Sequence, residues 1–331
     1  MQLFALFGCI EHTKAFEMIT RNHPISKWFI MIISLATACN VTQDKNESSI
    51  TSGTLKLGVD ESYSLLMDTE VFTYMSLNKY AKIDYRIAPE QEILSLLLKD
   101  SIQSAVVSRP LNQEELDYFK SIQRIPQSTL IAHDGIALVV HPEVKDSVVS
   151  MQQLQRFFLG QDSLWNQWYA GSNRGEIQVV FDYENSCNAR TVKEKFGFEN
   201  FPKQCYSLNS TDSVIRYVSS HPGAMGIISL SWITDEQDSV CRVYRKLIRP
   251  LGILDPQNVV KPDMPRRPFQ AYVFDGSYPL TRDVYYIRTG LSGSLGTGFA
   301  NHLTGEKGQL IIHRMGMVAA KTPNRIIKIK E

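Results

Sequence analysis

Three short stretches place hydroxyl, amide and guanidinium donors directly after runs that read as β-strands. Asp60-Glu61-Ser62-Tyr63-Ser64 follows Leu55–Val59, Ser108-Arg109 closes the run from Ser104, and Asn185–Arg190 links the run Ile177–Phe181 to a helical segment. Open parallel sheets bind ligands beyond the C-terminal ends of their strands, where helices begin. Unpaired backbone N–H groups and the positive end of the helix dipole face the ligand there, so the chemistry on offer is the holding of an anion. Arg109 and Arg190 together would neutralise a doubly charged oxyanion and grip it through paired N–H donors. The candidate binding residues are Glu61, Ser62 and Tyr63, then Ser108 and Arg109, then Ser186, Cys187, Asn188 and Arg190. Each has a plainer alternative. Ser62, Ser186 and Asn188 would serve equally as helix caps, a role compatible with binding. Cys187 and Tyr63 would pack without bonding anything, Arg109 before Pro110 would be a solvated loop residue, and Arg190 would point away.

The elements that would position these loops alternate β-like and helical runs from Thr54 onward. A helix is expected from about Leu65 to Leu77 and a strand over Lys82–Ala88, after which Pro89 is well placed to open a helix with Ile93, Leu94, Leu97 and Leu98 as its apolar stripe. Asn112, followed by Glu114 and Glu115, caps the next helix. Ile136–Val140 is a near-continuous apolar run, read as a parallel strand covered on both faces. Ser150 caps a helix carrying Leu154, Phe157 and Phe158 and ended by Gly160; Arg190–Phe196 belongs to a helix closed by Gly197. Thr211–Ser220 reads as helix and Met225–Leu230 as strand. Repeated β-α-β units imply an α/β fold with parallel sheets and helices on both faces.

At 331 residues, with 43% hydrophobic and 21% charged content, the chain is long enough and apolar enough for two packed lobes. A formal charge of +1 supplies no basic field, which argues against nucleic acid as a partner. The five cysteines form no C-x-x-C pair and have no metal-ligand spacing with the scattered histidines, so neither a metal nor another cofactor is expected.

Arg21, His23 and Lys27 precede the apolar run Trp28–Ala38, which is about half the ~20 residues of a membrane-spanning helix and reads as a secretion signal over residues 1–39. Ala36-Thr37-Ala38-Cys39 resembles a bacterial lipobox, with its leucine, Leu35, one place earlier than usual. Cys39 would then be lipidated and become the mature N-terminus, anchoring the protein outside the cytoplasm; a conventional signal with an incidental cysteine is the alternative. Met18 is a plausible start for a signal of conventional length, and the polar residues 40–53 read as a flexible tether. In an oxidising compartment Cys205 and Cys241 are candidates for a disulfide, with two separate thiols the alternative.

Several stretches in order resemble the phosphate-binding proteins of phosphate ABC transporters, within the type II periplasmic-binding fold. They are Ala105–Leu111, Asp134–Val140, Phe157-Phe158-Leu159-Gly160 with Trp165, Asn185–Arg190, His221–Ile227, Tyr278–Arg282 and Gly305–Gln309, and they cover nearly the whole mature chain. The resemblance implies a two-lobed fold, each lobe a mainly parallel sheet flanked by helices, with ligand captured in the cleft. Lobe one would comprise 54–130 plus 285–331 and lobe two 135–270, with hinge crossings at 127–137 and 268–288. It also implies a monomeric, non-enzymatic receptor that delivers phosphate or a similar oxyanion to the permease subunits of an ABC transporter, meeting the membrane through its lipid anchor alone. A phosphate-selective site needs an acceptor for the ligand's proton, and Asp60, Glu61 and Asp182 are the carboxylates at hand. The chain departs from the family pattern: Arg109 stands where an Asp is usual, Asp182 where an Arg is usual, and Cys187-Asn188 where Gly-Thr is usual. Sulfate or a phosphorylated small molecule is therefore an alternative ligand.

Two rival readings remain at the level of sequence. Ser76-Leu77-Asn78-Lys79 matches the S-x-x-K pattern of penicillin-interacting enzymes, but S-D-N is absent and Lys321-Thr322-Pro323 is not K-T-G, so Ser76 and Lys79 read as a helix end. A surface or sensory binding module without a transporter would need the same closed, liganded state.

Overall fold

Alternating Leu55, Leu57 and Val59 make β1 (Ser52–Asp60) the centre of a parallel layer, flanked by β2 (Tyr80–Ala88) and β3 (Ser104–Val107). The computed structural model describes residues 48–235, 237–258 and 262–321. The signal segment with Cys39 lies outside the described residues, as do residues 40–47 of the tether. The crossovers in this layer are α1 (Ser64–Leu77) and α2 (Glu90–Leu98), with Pro89 as N-cap of the latter. Asn112 and Glu115 form a reciprocal capping box at the start of α3 (Gln113–Ser121).

β4 (Gln127–Val140) then leaves the first layer. It is followed by β5 (Val148–Ser150), α4 (Met151–Phe158), α5 (Trp165–Trp168) and β6 (Gln178–Phe181). Next come α6 (Cys187–Phe196), closed by Gly197 at a φ of 71°, β7 (Cys205–Ser207), α7 (Thr211–Ser220) and β8 (Ala224–Ser229). α8 (Ser231–Thr234), α9 (Ser239–Leu247), β9 (Arg249–Pro250), β10 (Gly252–Leu254) and α10 (Gln270–Phe274) complete the second layer. The chain returns through β11 (Thr281–Arg288) to α11 (Leu295–Leu303), α12 (Glu306–Arg314) and β12 (Val318–Ala319).

The strands lie in the order β2-β1-β3-β11-β4-β8-β6-β7. Pairing is parallel within β2-β1-β3 and within β8-β6-β7, and antiparallel wherever β4 or β11 takes part. Ile136–Val140 is thus a strand buried on both faces, but antiparallel to β8 rather than parallel. An apolar run reports burial on two faces; it carries no information on the direction of the neighbouring strand. β4 also divides the cores. Ile131 and Ala132 pack with Leu57, Tyr63 and Phe299 in the first lobe, whereas Ile136–Val140 pack with Phe157, Trp165 and Phe181 in the second. Each fully buried large apolar side chain contributes about 1.5–3 kcal/mol, so both lobes carry a substantial core.

Residues 48–53, at the end of the segment read from composition as a tether, are fastened to the fold although Ser48, Ile50 and Thr51 are exposed. The Ile50 carbonyl accepts the Tyr74 hydroxyl, Ser48 Oγ accepts Leu295 N–H at 3.3 Å, and a Cβ on Gly298 would fall 1.8 Å from the Ile50 oxygen. Glycine is required at 298 so that α11 can approach this segment.

Candidate functional site

The C-terminal ends of β1, β2 and β3 meet the helix starts beyond β6, β7 and β8 through a continuous polar network. Asp60, the last residue of β1, is wholly buried and reaches the first turn of α6. Its Oδ2 accepts Cys187 N–H at 3.3 Å, while its Oδ1 accepts Ser62 N–H and the Cys187 thiol, each at 2.9 Å. The neighbouring Glu61 does the same at α7, accepting Thr211 N–H at 2.9 Å and the Thr211 hydroxyl at 2.6 Å. Each carboxylate sits on the first N–H of a ten-residue helix, where the dipole favours negative charge. The Ser62 carbonyl accepts Ser231 Oγ and Trp232 Nε1, both at 3.2 Å, and Gln91 N–H donates to the Asn185 carbonyl at 3.2 Å.

Glu90, at the start of α2, accepts Ser108 N–H at 2.7 Å and Ser108 Oγ at 2.8 Å. Across the cleft Arg190 donates to Glu90 Oε2 at 2.5 Å and to Ser108 Oγ at 2.5 Å. Burial opposes the charge on Glu90, but Arg190 and the two Ser108 donors together hold the carboxyl below its usual range.

Behind these contacts lies Arg282, whose side chain is 3% exposed. It donates twice to Asp134 Oδ2, at 2.8 and 3.0 Å, so the two crossing strands β4 and β11 are joined by a buried ion pair. Its remaining Nη1 donates to Asn188 Oδ1 at 2.8 Å and to Cys187 Sγ at 3.0 Å, and its guanidinium lies 5.3 Å from the centre of the Tyr63 ring. Cys187, although on α6, therefore packs in the core of the first lobe. Burial pushes its thiol well above the ordinary value, which keeps it a neutral donor to Asp60.

Asp182, at the end of β6, is also wholly buried and accepts Ser186 Oγ at 2.6 Å and Asn188 Nδ2 at 2.9 Å. Burial and then the nearby Asp60 raise its pKa to about 7. Asp60 is raised by burial and by Glu90, and Glu61 chiefly by burial. The cleft thus sets Asp60, Glu61, Glu90, Asp134 and Asp182 against Arg190 and Arg282.

Most residues read from the sequence converge here. Glu61, Ser62, Ser108, Ser186, Cys187, Asn188 and Arg190 all take part in the network. Ser186 bonds Asp182 within the network and is also the N-cap of α6, accepting Ala189 N–H at 3.2 Å. Tyr63 is wholly buried, and its hydroxyl has no partner among the described residues. Arg109 turns instead to Glu115, which it grips with both Nη atoms at 2.7 Å. Neither of the two arginines expected to neutralise an anion is free of a carboxylate. Cys205 and Cys241 do not pair: both are free thiols, one on β7 and the other in α9, where Cys241 Sγ lies 3.5 Å from the Ser231 carbonyl. Among the described residues no cluster of His, Cys, Asp or Glu has the makings of a metal site, and no helix is long and apolar enough to cross a membrane. Ser76 Oγ bonds the Phe72 carbonyl at 2.7 Å near the end of α1.

Glu90, Asp134, Thr211 and Arg282 escaped the reading of the sequence as site residues. Asp134 and Arg282 lie within stretches that carried the family resemblance, and that was the available signal. Glu90 and Thr211 had none beyond their position at a helix start.

The family model described as the PBP superfamily domain matches residues 44–307. The chain belongs to that superfamily. Among its relatives is the phosphate-binding protein PstS of Borreliella burgdorferi, 20% identical over 309 residues, a match spanning 90% of this chain and 100% of the relative. Among solved structures, a substrate-binding protein from Clostridium perfringens that holds bound phosphate superposes with a TM-score of 0.67 at 17% identity, covering 81% of this chain and 100% of that one. An ABC-type phosphate transport receptor from Vibrio cholerae gives 0.60 at 18% identity, with 81% and 100% coverage. These likenesses establish the fold as that of the two-lobed periplasmic binding proteins.

Proposed function

We propose that this chain is an extracytoplasmic solute-binding protein that captures inorganic phosphate, or a closely related oxyanion, between its lobes and presents it to the permease of an ABC transporter. One observation carries the reading: the donors that face the cleft are already oxyanion donors. Cys187 N–H, the Thr211 N–H and hydroxyl, Ser108 and Arg190 each hold a carboxylate oxygen of the chain itself. A phosphate oxygen presents the same acceptor geometry to the same helix termini. Asp182, with a pKa of about 7, is suited to sharing a proton with a ligand that carries one. The phosphate-binding relatives support this choice over sulfate. The family is one of receptors, and this chain is read as a receptor rather than an enzyme.

In this reading lobe one is 54–130 plus 285–331, lobe two is 135–270, and the hinge runs through 127–137 and 268–288. Closure is favoured because the anion bonds donors from both lobes at once. Lipidation at Cys39 would hold a monomeric receptor on the outer face of a membrane. Calorimetric titration of ligand-stripped protein with phosphate and then sulfate tests the function. Micromolar or tighter phosphate binding with weak sulfate binding is the expected result, and a folded protein that binds neither would overturn the reading.

A further inference from the structure

Two carboxylates of the chain itself bridge the cleft. Asp60 and Glu61 come from one lobe, and the helix starts they occupy, at Cys187 and Thr211, belong to the other. These are the positions an oxyanion held between the lobes would take, if the proposed function is right. We propose that Asp60 and Glu61 act as an internal stand-in for the ligand, holding the lobes together in its absence, and that Asp60 sets affinity because an incoming oxyanion has to displace it from Cys187 N–H.

The charges support this assignment. With Asp60 in place, a dianion would join Asp60, Glu61, Glu90 and Asp182 around donors that are already engaged. The cleft arginines Arg190 and Arg282 are already bound to Glu90 and Asp134. Like charges a few ångströms apart in a buried site repel strongly, so ligand and Asp60 carboxylate exclude one another. Glu61 is held by both an N–H and a hydroxyl of Thr211, so it is the harder of the two carboxylates to displace, and Asp60 is the one that yields first. The Ser62 carbonyl, held by Ser231 and Trp232, keeps the loop after β1 docked while Asp60 swings out. A receptor whose competent state is only fractionally populated binds with its affinity reduced by that fraction.

Asp60→Asn keeps the shape and the acceptor for Ser62 N–H but removes the charge. In the full chain, stripped of ligand by unfolding and refolding in phosphate-free buffer, it should bind inorganic phosphate at least tenfold more tightly than the wild type. Affinity equal to or weaker than wild type overturns the proposal. A second readout does not depend on phosphate binding: hydrogen exchange at the Cys187 and Thr211 amides. Both should be protected in the ligand-free wild type, and both should exchange at least tenfold faster in Asp60→Asn/Glu61→Ala. Rapid exchange of these amides in the ligand-free wild type refutes the internal stand-in even if the double variant fails to fold. Protected amides with no phosphate binding by wild type or variant would instead uphold the stand-in and sink only the phosphate reading.

Discussion

Replacing Arg282 with methionine should destabilise the protein by about 3–5 kcal/mol, the loss expected when one partner of a buried ion pair is removed. Asp134 is wholly buried and accepts two N–H bonds from Arg282. Without them its Oδ2 keeps Ser229 Oγ at 2.9 Å and its Oδ1 keeps Gly135 N–H at 2.8 Å, too little to stabilise a charge in that environment. Asn188 Oδ1 and Cys187 Sγ lose a charged donor as well. Methionine fills much of the volume of the arginine stem, so the cavity contribution is small and the measured loss is mainly electrostatic. At an unfolding entropy of about 2.1 cal/mol/K per residue, the midpoint of thermal unfolding should fall by roughly 5–9 °C. The decisive assay is urea denaturation followed by far-ultraviolet circular dichroism, on Arg282→Met and on Arg282→Met/Asp134→Leu. The double variant removes the orphaned charge and should recover most of the loss, because well-packed apolar replacements of buried pairs are often close to neutral. A single-variant loss below about 1 kcal/mol, or a double variant no more stable than the single, would refute the argument.

Arg190→Ala should weaken phosphate binding at least tenfold by calorimetry, since it removes a cleft cation and leaves Glu90 held by Ser108 alone; unchanged affinity would take Arg190 out of the site. Asp182 and Glu70 both have native pKa values raised to about 7, Asp182 by burial and Asp60, Glu70 by burial against the opposing pull of His302. Groups raised in this way favour the fold fully below their unfolded values near 4 and cease to do so as pH rises through about 7. Glu90 and Glu115 act in the opposite sense, but their lowered values confine the loss to more acidic solution. Calorimetric unfolding should therefore occur at higher temperature at pH 5 than at pH 8, and the reverse order would contradict these assignments. Gly298→Val should destabilise by more than 2 kcal/mol in denaturant titration, because its Cβ would meet the Ile50 carbonyl; a neutral effect would show that the segment before β1 yields easily.

The secondary elements were largely legible in the sequence because their signals are local. Asn112, Ser150 and Ser186 cap where their side chains reach the first turn, and Gly197 closes a helix because it alone adopts the left-handed conformation without strain. Two of the three loops that meet in the cleft, at Ser108-Arg109 and Asn185–Arg190, also fell within stretches of the family resemblance, which rests on short contiguous segments. Strand direction was not legible in Ile136–Val140, because two-sided burial gives the same apolar run whichever way the neighbour points. The pairing of charges was not legible either. Arg109 looked as available for an anion as Arg190 until the capping glutamate of the next helix, Glu115, was found in its grip.

The sequence by itself determined an α/β chain whose donors collect at helix starts beyond strand ends. Those are properties of neighbouring residues, and neighbouring residues carry them. Tertiary structure alone decided that Asp60 would reach Cys187, Glu61 would reach Thr211 and Arg282 would reach Asp134, contacts between residues 127, 150 and 148 positions apart. Electrostatic energy in a buried cleft depends on distances of a few ångströms, and those are fixed by the packing of two lobes across crossing strands.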